Sequence, residues 1–329
     1  MHRVLITGST DGIGKATALA LARDKGVNVI IHGRNADKVN RVVAELKEAC
    51  RAATGDSESQ EHQRTEVEID GIVADLSLVQ NVRAMGAEVL ARFPDITGLI
   101  NNAATWPSKR EVTSEGIERS FAVNHLASVA LTASLLSILS RNGSRLDRNS
   151  RVLFVSSVAH AKYPNGVAYE SNARFDWDNL QSENVHEPYQ VYALAKLLNI
   201  MTAGEFARRH PCNDTRVTFN SLHPGVIDTP LLREGLPDLV EKAKPLEDGA
   251  LTPVYLATHP DVEGMSGIYF EDNAEARRHP LAENSETVAQ VWAKTHDILA
   301  RAVDDGTPES PGDKATPQSP GEAERTKDG

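Results

Sequence analysis

The chain has 329 residues, of which 40% are hydrophobic and 25% charged, so it has the composition of a globular protein whose core needs no metal or disulfide. Its formal net charge of −11 argues against nucleic-acid binding, and its two cysteines provide neither a disulfide framework nor metal-ligand spacing. Because no apolar run reaches about 18 residues and the first residues enter a strand pattern directly, we expect no membrane span, no signal peptide and a cytoplasmic location.

Short β-branched segments alternate with longer amphipathic segments as far as about residue 300. This alternation predicts βαβ units around a parallel sheet, and the nearly continuous apolar strands predict helices on both of its faces. The predicted strands are Val4–Thr7, Val27–His32, Ile72–Asp75, Thr97–Asn101, Arg151–Ser157, Arg216–His223 and Gly267–Phe270. The predicted helices are Ile13–Asp24, Ala36–Ala53, Val79–Arg92, Ser114 to about Ser140, Tyr189–Arg209, Asp248–Thr258 and Ser285–Ala302.

Three segments interrupt this alternation. Thr54–Thr65 is polar and charged, which predicts a surface insertion. Ala159–Pro188 is too rich in aromatic residues for a flexible linker. Residues 304–329 are acidic and rich in Pro and Gly with almost no apolar side chains, so we expect a disordered tail. The sequence therefore predicts a single domain, residues 1–303, followed by that tail.

A glycine-rich segment joins the first strand to the first helix. Glycines here allow a tight turn and let a pyrophosphate approach the N-terminus of the helix, although they also serve any other strand-to-helix turn. A phosphate-binding P-loop does not fit, because Ser9 stands where its first Gly belongs and Ala16 follows Lys15 in place of Ser or Thr. The predicted dinucleotide-binding residues of this segment are Gly8, Ser9, Asp11, Gly12, Ile13 and Gly14.

The end of the second strand indicates which dinucleotide is bound. No Asp or Glu stands there to accept the ribose hydroxyls of NAD, whereas Arg34 and Lys15 could pair with the 2′-phosphate of NADP(H). The alternative is that both are solvated surface bases. Asp11 would oppose a phosphate in this loop. NADP(H) is the predicted cofactor.

The ends of the third and fourth strands carry further candidate cofactor contacts. Asp75 and Leu76 end the third strand, and Asn101, Asn102 and Ala103 end the fourth, at the edge where open α/β sheets bind ligands. Asp75 can accept a hydrogen bond from an adenine amino group, or it can cap the following helix. The residues leave both roles open.

Tyr192 and Lys196 lie four residues apart and so on one face of a predicted helix. A free phenol has a pKa of about 10, and we expect the ammonium, together with a positively charged nicotinamide, to lower it by about three units. The tyrosine could then exchange a proton with a carbonyl or alcohol oxygen while hydride moves. By itself the pattern also fits an ordinary surface pair.

Other residues place this pair in a catalytic context. Ser157 ends the fifth strand, where its hydroxyl can hold a substrate oxygen, and Asn124 interrupts an otherwise apolar helix. A buried Asn needs partners, which a water chain to Lys196 or a local distortion of the helix would supply. His125 and His160 are predicted as packing or rim residues. A Ser-His-Asp hydrolase is disfavoured because no Gly-x-Ser-x-Gly sequence occurs.

From residue 2 to about residue 302, these motifs together resemble the short-chain dehydrogenase/reductase family. The resemblance implies a single-domain, Rossmann-type, doubly wound parallel α/β sheet with helices on both faces. It also implies catalytic roles for Tyr192 as acid and base, Ser157 at the carbonyl, Lys196 at the nicotinamide ribose and Asn124 at a relay water. The same resemblance assigns Ile227 and Thr229, which follow Pro224–Gly225, to the nicotinamide carboxamide.

Within this family the sequence is most similar to the retinol dehydrogenase-like branch, whose members usually prefer NADP. The matching segments are Val123–Leu126, Val155–His160, Phe175–Leu180, Ser221–Gly225 and Ser266–Phe270. The sequence departs from the branch at Ala104, where a Gly is usual, in the 54–65 insertion, and in lacking an apolar N-terminal anchor. These departures put retinoid activity in doubt.

The function implied is reversible, NADP(H)-dependent interconversion of an apolar or aromatic ketone or aldehyde and its alcohol. Segments 159–188 and 231–247 are predicted to roof the substrate site with Tyr163, Tyr169, Leu231, Leu232 and Leu236, unless these side chains only pack the loops. The helices at 114–140 and around Tyr192 are candidates for a homodimer face. The alternatives are a catalytically silent NADP(H)-binding regulator of the same fold, and an enzyme acting on a polyketide- or steroid-like intermediate.

Overall fold

The computed structural model describes residues 3–54, 67–161 and 176–304. The predicted insertion, the predicted tail beyond Asp304, and Tyr163 and Tyr169 in the predicted roof lie outside these residues, so those predictions stand as made. The strands are β1 (Arg3–Ile6), β2 (Asn28–Gly33), β3 (Ile69–Val73), β4 (Ile96–Asn101), β5 (Ser150–Val155), β6 (Val217–His223), β7 (Tyr269–Glu271) and β8 (Ala274–Glu275). The α-helices are α1 (Gly12–Lys25), α2 (Ala36–Thr54), α3 (Val79–Arg92), α4 (Arg119–Phe121), α5 (Ala127–Arg145), α6 (Pro188–Arg209), α7 (Cys212–Thr215), α8 (Pro230–Gly235), α9 (Leu246–Thr258) and α10 (Ser285–Asp304).

The strands of the described residues form one sheet in the order β3-β2-β1-β4-β5-β6-β7-β8. Every neighbouring pair from β3 to β7 is parallel, and only β8 pairs antiparallel, with β7. From β1 the chain adds β2 and β3 on one side of the sheet, and then crosses to the other side of β1 to add β4 and the following strands. Open α/β sheets bind ligands beside this crossover, at the carboxyl edge of the strands. The predicted Rossmann-type, doubly wound α/β fold is confirmed, with the short antiparallel β8 as an addition.

Each face of the sheet is covered by helices, because successive residues of a strand point to opposite faces. In β1, Leu5 packs with α3, α5, α6 and α10, whereas Val4 and Ile6 pack with α1, α2 and α9. All these side chains are buried. The two apolar layers hold the sheet rigidly, so the loops at its carboxyl edge start from fixed positions.

The single helix predicted from Ser114 to about Ser140 is wrong in detail. The helix begins at Arg119, continues as a π-helix over Ala122–Leu126, and ends at Arg145. By length and composition Arg119–Arg145 could cross a membrane, but 72% of its most apolar window is buried inside the fold. Its apolar character is therefore explained by its place in the core.

The C-terminal helix α10 covers part of the face predicted for a dimer. Trp292 of α10 packs edge-on against Phe206 of α6, with ring centroids 4.9 Å apart. Arg83 of α3 donates a hydrogen bond to the carbonyl of Leu299. Because α10 packs on both α6 and α3, the chain itself shields a surface that the sequence alone offers to a second copy.

Candidate active site

A cavity of about 680 Å³ opens along the carboxyl edge of the sheet. Its wall is built by the loops that follow β1 to β6, by the start of α6 and by α8. The predicted site residues on this wall are Gly8, Asp11, Gly12, Ile13, Arg34, Asp75, Leu76, Asn102, Ala103, Ser157, Tyr192, Lys196, Ile227 and Thr229. Four predicted residues, Ser9, Gly14, Asn101 and Asn124, lie behind the wall, where they support it.

Ser9 and His32 fix the loop after β1. The Ser9 hydroxyl donates to the carbonyl of Ile6 at 2.7 Å and accepts the backbone N–H of His32 at 2.9 Å. The ring Nδ1 of His32 accepts the N–H of Gly8, and its Nε2 donates to the carbonyl of Ala74. Burial lowers the pKa of His32 to about 4, so the ring is neutral, as this pairing requires. The ends of β1, β2 and β3 are thereby held together.

Gly14 and Asn101 serve packing at the same edge. A Cβ at Gly14 would lie 2.5 Å from Nδ2 of Asn102 and 2.7 Å from the carbonyl oxygen of Gly8, so only Gly fits. The side chain of Asn101 donates to the hydroxyl of Thr132 at 3.1 Å within the core. Both residues were predicted as cofactor contacts; the structure places them behind the cavity wall, where they shape the loops that line it, and their contact with a cofactor stays a prediction.

The N-terminus of α1 faces the cavity. Asp11 caps it by accepting the N–H of Gly12 at 2.8 Å. Gly8 has φ +64°, and a Cβ there would lie 2.8 Å from Cα of Ala103, so the loop requires Gly both for its conformation and for its close approach to the loop after β4. A turn of this shape at a helix N-terminus is suited to bind the phosphates of a dinucleotide.

Of the two basic residues predicted to bind a 2′-phosphate, only one lies on the cavity wall. Arg34 lies on the wall and is exposed, but Lys15 lies outside the wall and pairs with Glu45 at 2.5 Å. Lys38, which the sequence analysis did not single out, takes the second position on the wall and pairs with Asp11 at 2.7 Å. The hydrogen bond from Lys38 lowers the pKa of Asp11, so the carboxylate stays ionised and Lys38 balances its negative charge.

Asp75 also lies on the wall, and the structure decides against its capping role. Its carboxylate accepts the N–H of Ser77, whereas Glu115 accepts the first N–H groups of α3. Burial raises the pKa of Asp75, but the hydrogen bonds from Ser77 and the charges of Arg119 and Arg34 outweigh it and leave the pKa below its usual value. Asp75 is therefore an ionised acceptor at the cavity.

Tyr192 lies in the second turn of α6, and its phenol lies on the cavity wall with Ser157, which follows β5 by two residues. Burial raises the pKa of Tyr192 to about 12, and its interaction with Ser157 only partly opposes this. The expected lowering of this pKa, which involves both Lys196 and a bound nicotinamide, stays a prediction, because the value of about 12 applies to the protein without cofactor. The free-energy cost of burying the phenolate is larger than the stabilisation that Ser157 gives it.

Lys196 is buried beneath Tyr192, with 2% of its surface exposed. Its ammonium donates to the carbonyl of Val155 at 2.9 Å and lies 5.4 Å from the centroid of the Tyr192 ring. The hydroxyl of Ser156 donates to the Lys196 carbonyl at 2.7 Å, which also ties α6 to β5. Burial lowers the pKa of Lys196 to about 8.

Asn124 finds partners other than those predicted. It is 1% exposed, and its carboxamide accepts the N–H of Thr105 at 2.8 Å and donates to the carbonyl of the same residue at 2.9 Å. The π-helix places it opposite the loop that follows β4. Of the two alternatives, local distortion of the helix is present, and the side chain pairs with the backbone of Thr105. The relay water that the resemblance assigns to Asn124 stays a prediction.

The far end of the cavity is apolar, as predicted. Leu231, Leu232 and Leu236 lie on the wall, which supports the predicted roof over the described part of the chain. Trp106 was missed, because nothing in the local sequence marks it. Its ring centroid lies 5.1 Å from that of Tyr192. The other apolar or aromatic residues of this end are Ala159, Tyr189, Pro230 and Leu239.

Neither His125 nor His160 lies on the cavity wall. His125 is fully buried and its Nε2 lies 2.9 Å from the hydroxyl of Thr295 in α10. His160 is bonded through Nδ1 to the carbonyl of Ser157 and packs edge-on against Tyr269. Both act in packing, in agreement with the interpretation of the sequence.

Comparison with known proteins identifies similar sequences over most of the chain. The family model for short chain dehydrogenases matches residues 2–172. Retinol dehydrogenase 14 of Mus musculus is 35% identical over 301 residues, which cover 88% of this chain and 83% of that protein. Polyprenol dehydrogenase of Homo sapiens is 29% identical, with 88% and 83% of the two chains covered.

Solved structures have the same fold at lower sequence identity. A 3-ketoacyl-(acyl-carrier-protein) reductase from Brucella melitensis, complexed with NADH, is 19% identical with a TM-score of 0.60, over 82% of this chain and 96% of that one. A protein described as a short chain dehydrogenase from Shigella flexneri, complexed with NADP, is 19% identical with a TM-score of 0.60, over 83% and 97%.

Proposed function

Because the chain belongs to the short-chain dehydrogenase/reductase family, in its retinol dehydrogenase-like branch, we propose that it interconverts an apolar or aromatic ketone or aldehyde and its alcohol with NADP(H). Its family and the relatives named as dehydrogenases show that the chain is an oxidoreductase acting on CH–OH groups. The observation that carries the finer proposal is the Tyr192–Ser157 pair at one end of a cavity whose other end is the glycine-lined N-terminus of α1.

The residues of the cavity fit a dinucleotide. The N-terminus of α1 would bind the pyrophosphate, and Asp75 would accept a hydrogen bond from the adenine amino group. Arg34 and Lys38 would pair with a 2′-phosphate, which NAD lacks. Fold neighbours have been solved with NADH and with NADP, so the preference for NADP(H) rests on these two bases.

The chemistry assigned to the protein is positioning and proton transfer. The bound nicotinamide supplies or accepts the hydride. Ser157 and Tyr192 would hold the substrate oxygen by two hydrogen bonds, and Tyr192 would give its proton as the carbonyl becomes an alcohol, or take it in the reverse direction. The buried charge of Lys196, 5.4 Å from the ring, favours the phenolate left behind.

The substrate class is proposed from the wall around this pair. Leucine side chains of the α8 region and the rings of Trp106 and Tyr189 offer an apolar surface, which suits a hydrocarbon substituent. The names of the two relatives contain retinol and polyprenol, both of which are apolar alcohols. A cytoplasmic location and a homodimer remain predictions from the sequence.

Turnover tests this function. Purified full-length protein should oxidise NADPH in the presence of a panel of apolar and aromatic aldehydes and ketones, and reduce NADP⁺ with the matching alcohols. Binding of NADPH, followed separately by its fluorescence, without turnover of any panel member would instead support the catalytically silent regulator. Absence of NADPH binding would contradict both.

A further inference from the structure

Trp106 occupies a position between the proposed proton donor and the loop that roofs the cavity. Its indole ring is tilted by 37° to the ring of Tyr192, with 5.1 Å between the centroids. The ring also lies against Gly235, the last residue of α8. The indole therefore contacts both Tyr192, the proposed proton donor, and α8, which is part of the predicted roof.

Residue 235 has to be glycine because a larger side chain would clash with Trp106, and not because of its backbone conformation. A Cβ built on Gly235 would lie 2.3, 2.4 and 2.7 Å from three atoms of the Trp106 ring system, and such distances are closer than real Cβ contacts allow. The backbone of Gly235 is not among those with positive φ, so alanine would be tolerated there but for the indole. The end of α8 thus lies directly on the face of the ring.

The backbone that precedes the ring is held in place. Asn124 holds both the N–H and the carbonyl of the preceding residue, Thr105. Trp106 also belongs to an apolar cluster with Tyr189, Tyr192 and Leu236. A side chain added at Gly235 would therefore push α8 outward and open the roof rather than turn the indole.

We propose that the indole of Trp106 determines which substrates enter the site. We also propose that Gly235, which has no side chain, lets α8 pack directly on this indole. This inference rests on the proposed function. Since the indole lies beside the ring of Tyr192, it fills the space next to the reacting carbon. The site accepts carbonyl compounds whose carbon beside the carbonyl is unbranched, and it excludes those that are branched or bulky there.

The first test is the substrate preference of Trp106→Ala. The variant should raise kcat/KM for an α-branched ketone relative to a linear aldehyde of equal carbon number by about tenfold, because one methylene of misfit in an apolar pocket is worth about 10- to 200-fold in specificity. An unchanged ratio would overturn the inference. Trp106→Phe keeps a ring of smaller size, and an intermediate ratio is expected for it.

The second test is a double-mutant cycle on the contact. Gly235→Ala should lower kcat/KM for the linear aldehyde by about tenfold in the wild type but less than about twofold in the Trp106→Ala background, because the clash is then removed. Additive effects would refute the contact. Gly204→Ala is the matched control: its Cβ would meet only Arg278, at 3.7 Å, and activity should not change.

Tryptophan emission separates this inference from the proposed function. The chain has three Trp, and the difference between wild type and Trp106→Phe isolates the emission of Trp106. Gly235→Ala should shift that emission toward a more solvated indole, whether or not a substrate has been found. Turnover by no variant would count against the proposed function, whereas an emission of Trp106 unaffected by Gly235→Ala would count against this inference.

Discussion

Replacing Tyr192 by Phe is expected to lower kcat for carbonyl reduction by about 10²- to 10⁴-fold, which is the usual contribution of a positioned general acid. The substitution removes the hydroxyl proposed to exchange the proton but keeps the ring that packs against Trp106. The cavity and the glycine-rich loop remain intact, so the Kd for NADPH, measured by fluorescence titration, should change less than about threefold.

The matched control is Tyr255→Phe. Tyr255 lies in α9 on the other face of the sheet, outside the cavity, and packs against the ring of His259. Loss of its hydroxyl should leave kcat unchanged. A Tyr192→Phe variant that retains more than about a tenth of wild-type kcat would show that another group transfers the proton.

Replacing Arg34 by Ala is expected to raise the KM for NADPH by about 10- to 100-fold and to leave the KM for NADH nearly unchanged, because a charge-assisted hydrogen bond is worth about 1.5–3 kcal/mol. Arg34 lies on the cavity wall beside Asp75, and Lys38 supplies the second base. Lys38→Ala should also raise the KM for NADPH, because it removes one base from the wall and leaves the Asp11 carboxylate without its counter-ion.

Arg41→Ala provides the comparison for charge alone. Arg41 lies on α2, the helix that follows Arg34, and is exposed outside the cavity wall. Both variants lose one positive charge, so only Arg34→Ala should alter the ratio of the two KM values. An unaltered preference in Arg34→Ala would mean that the 2′-phosphate site has been assigned wrongly.

Periodicity predicted the seven parallel strands and most of the long helices, and α3 was placed with both ends correct, at Val79 and Arg92. It failed where a strand carries polar residues. β3 begins at Ile69, earlier than predicted, because Asp70 interrupts its apolar pattern. As the edge strand of the sheet, β3 tolerates this carboxylate, which pairs with Arg3.

The residues on the cavity wall were largely predictable because they follow the carboxyl ends of strands, where the sequence marks them with glycines, amides and hydroxyls. The residues that were missed depend on distant contacts. Trp106 is placed by its contact with Gly235. Asn124, in the π-helix, is placed by its hydrogen bond with the backbone of Thr105. No local pattern records such contacts, since each joins segments far apart in the sequence.

The state of Tyr192 shows the same limit. The spacing of Tyr192 and Lys196 correctly predicts two residues on one helix face, but not the balance between burial and charge. In the protein alone burial dominates and raises the pKa of Tyr192 to about 12. We therefore expect the positive nicotinamide ring of NADP⁺ to stabilise the phenolate of Tyr192 further, beyond what Lys196 alone does.

Ultraviolet difference titration of the phenolate, taken as wild type minus Tyr192→Phe between pH 7 and about pH 10.5, measures this directly. Without NADP⁺ residue 192 should give no phenolate signal over that range. With saturating NADP⁺ the signal should appear, with its pKa lowered by about two units or more, as expected for a unit charge about 4 Å away in a partly buried site. A titration that NADP⁺ leaves unchanged would contradict the assignment of Tyr192 as the group that exchanges the proton.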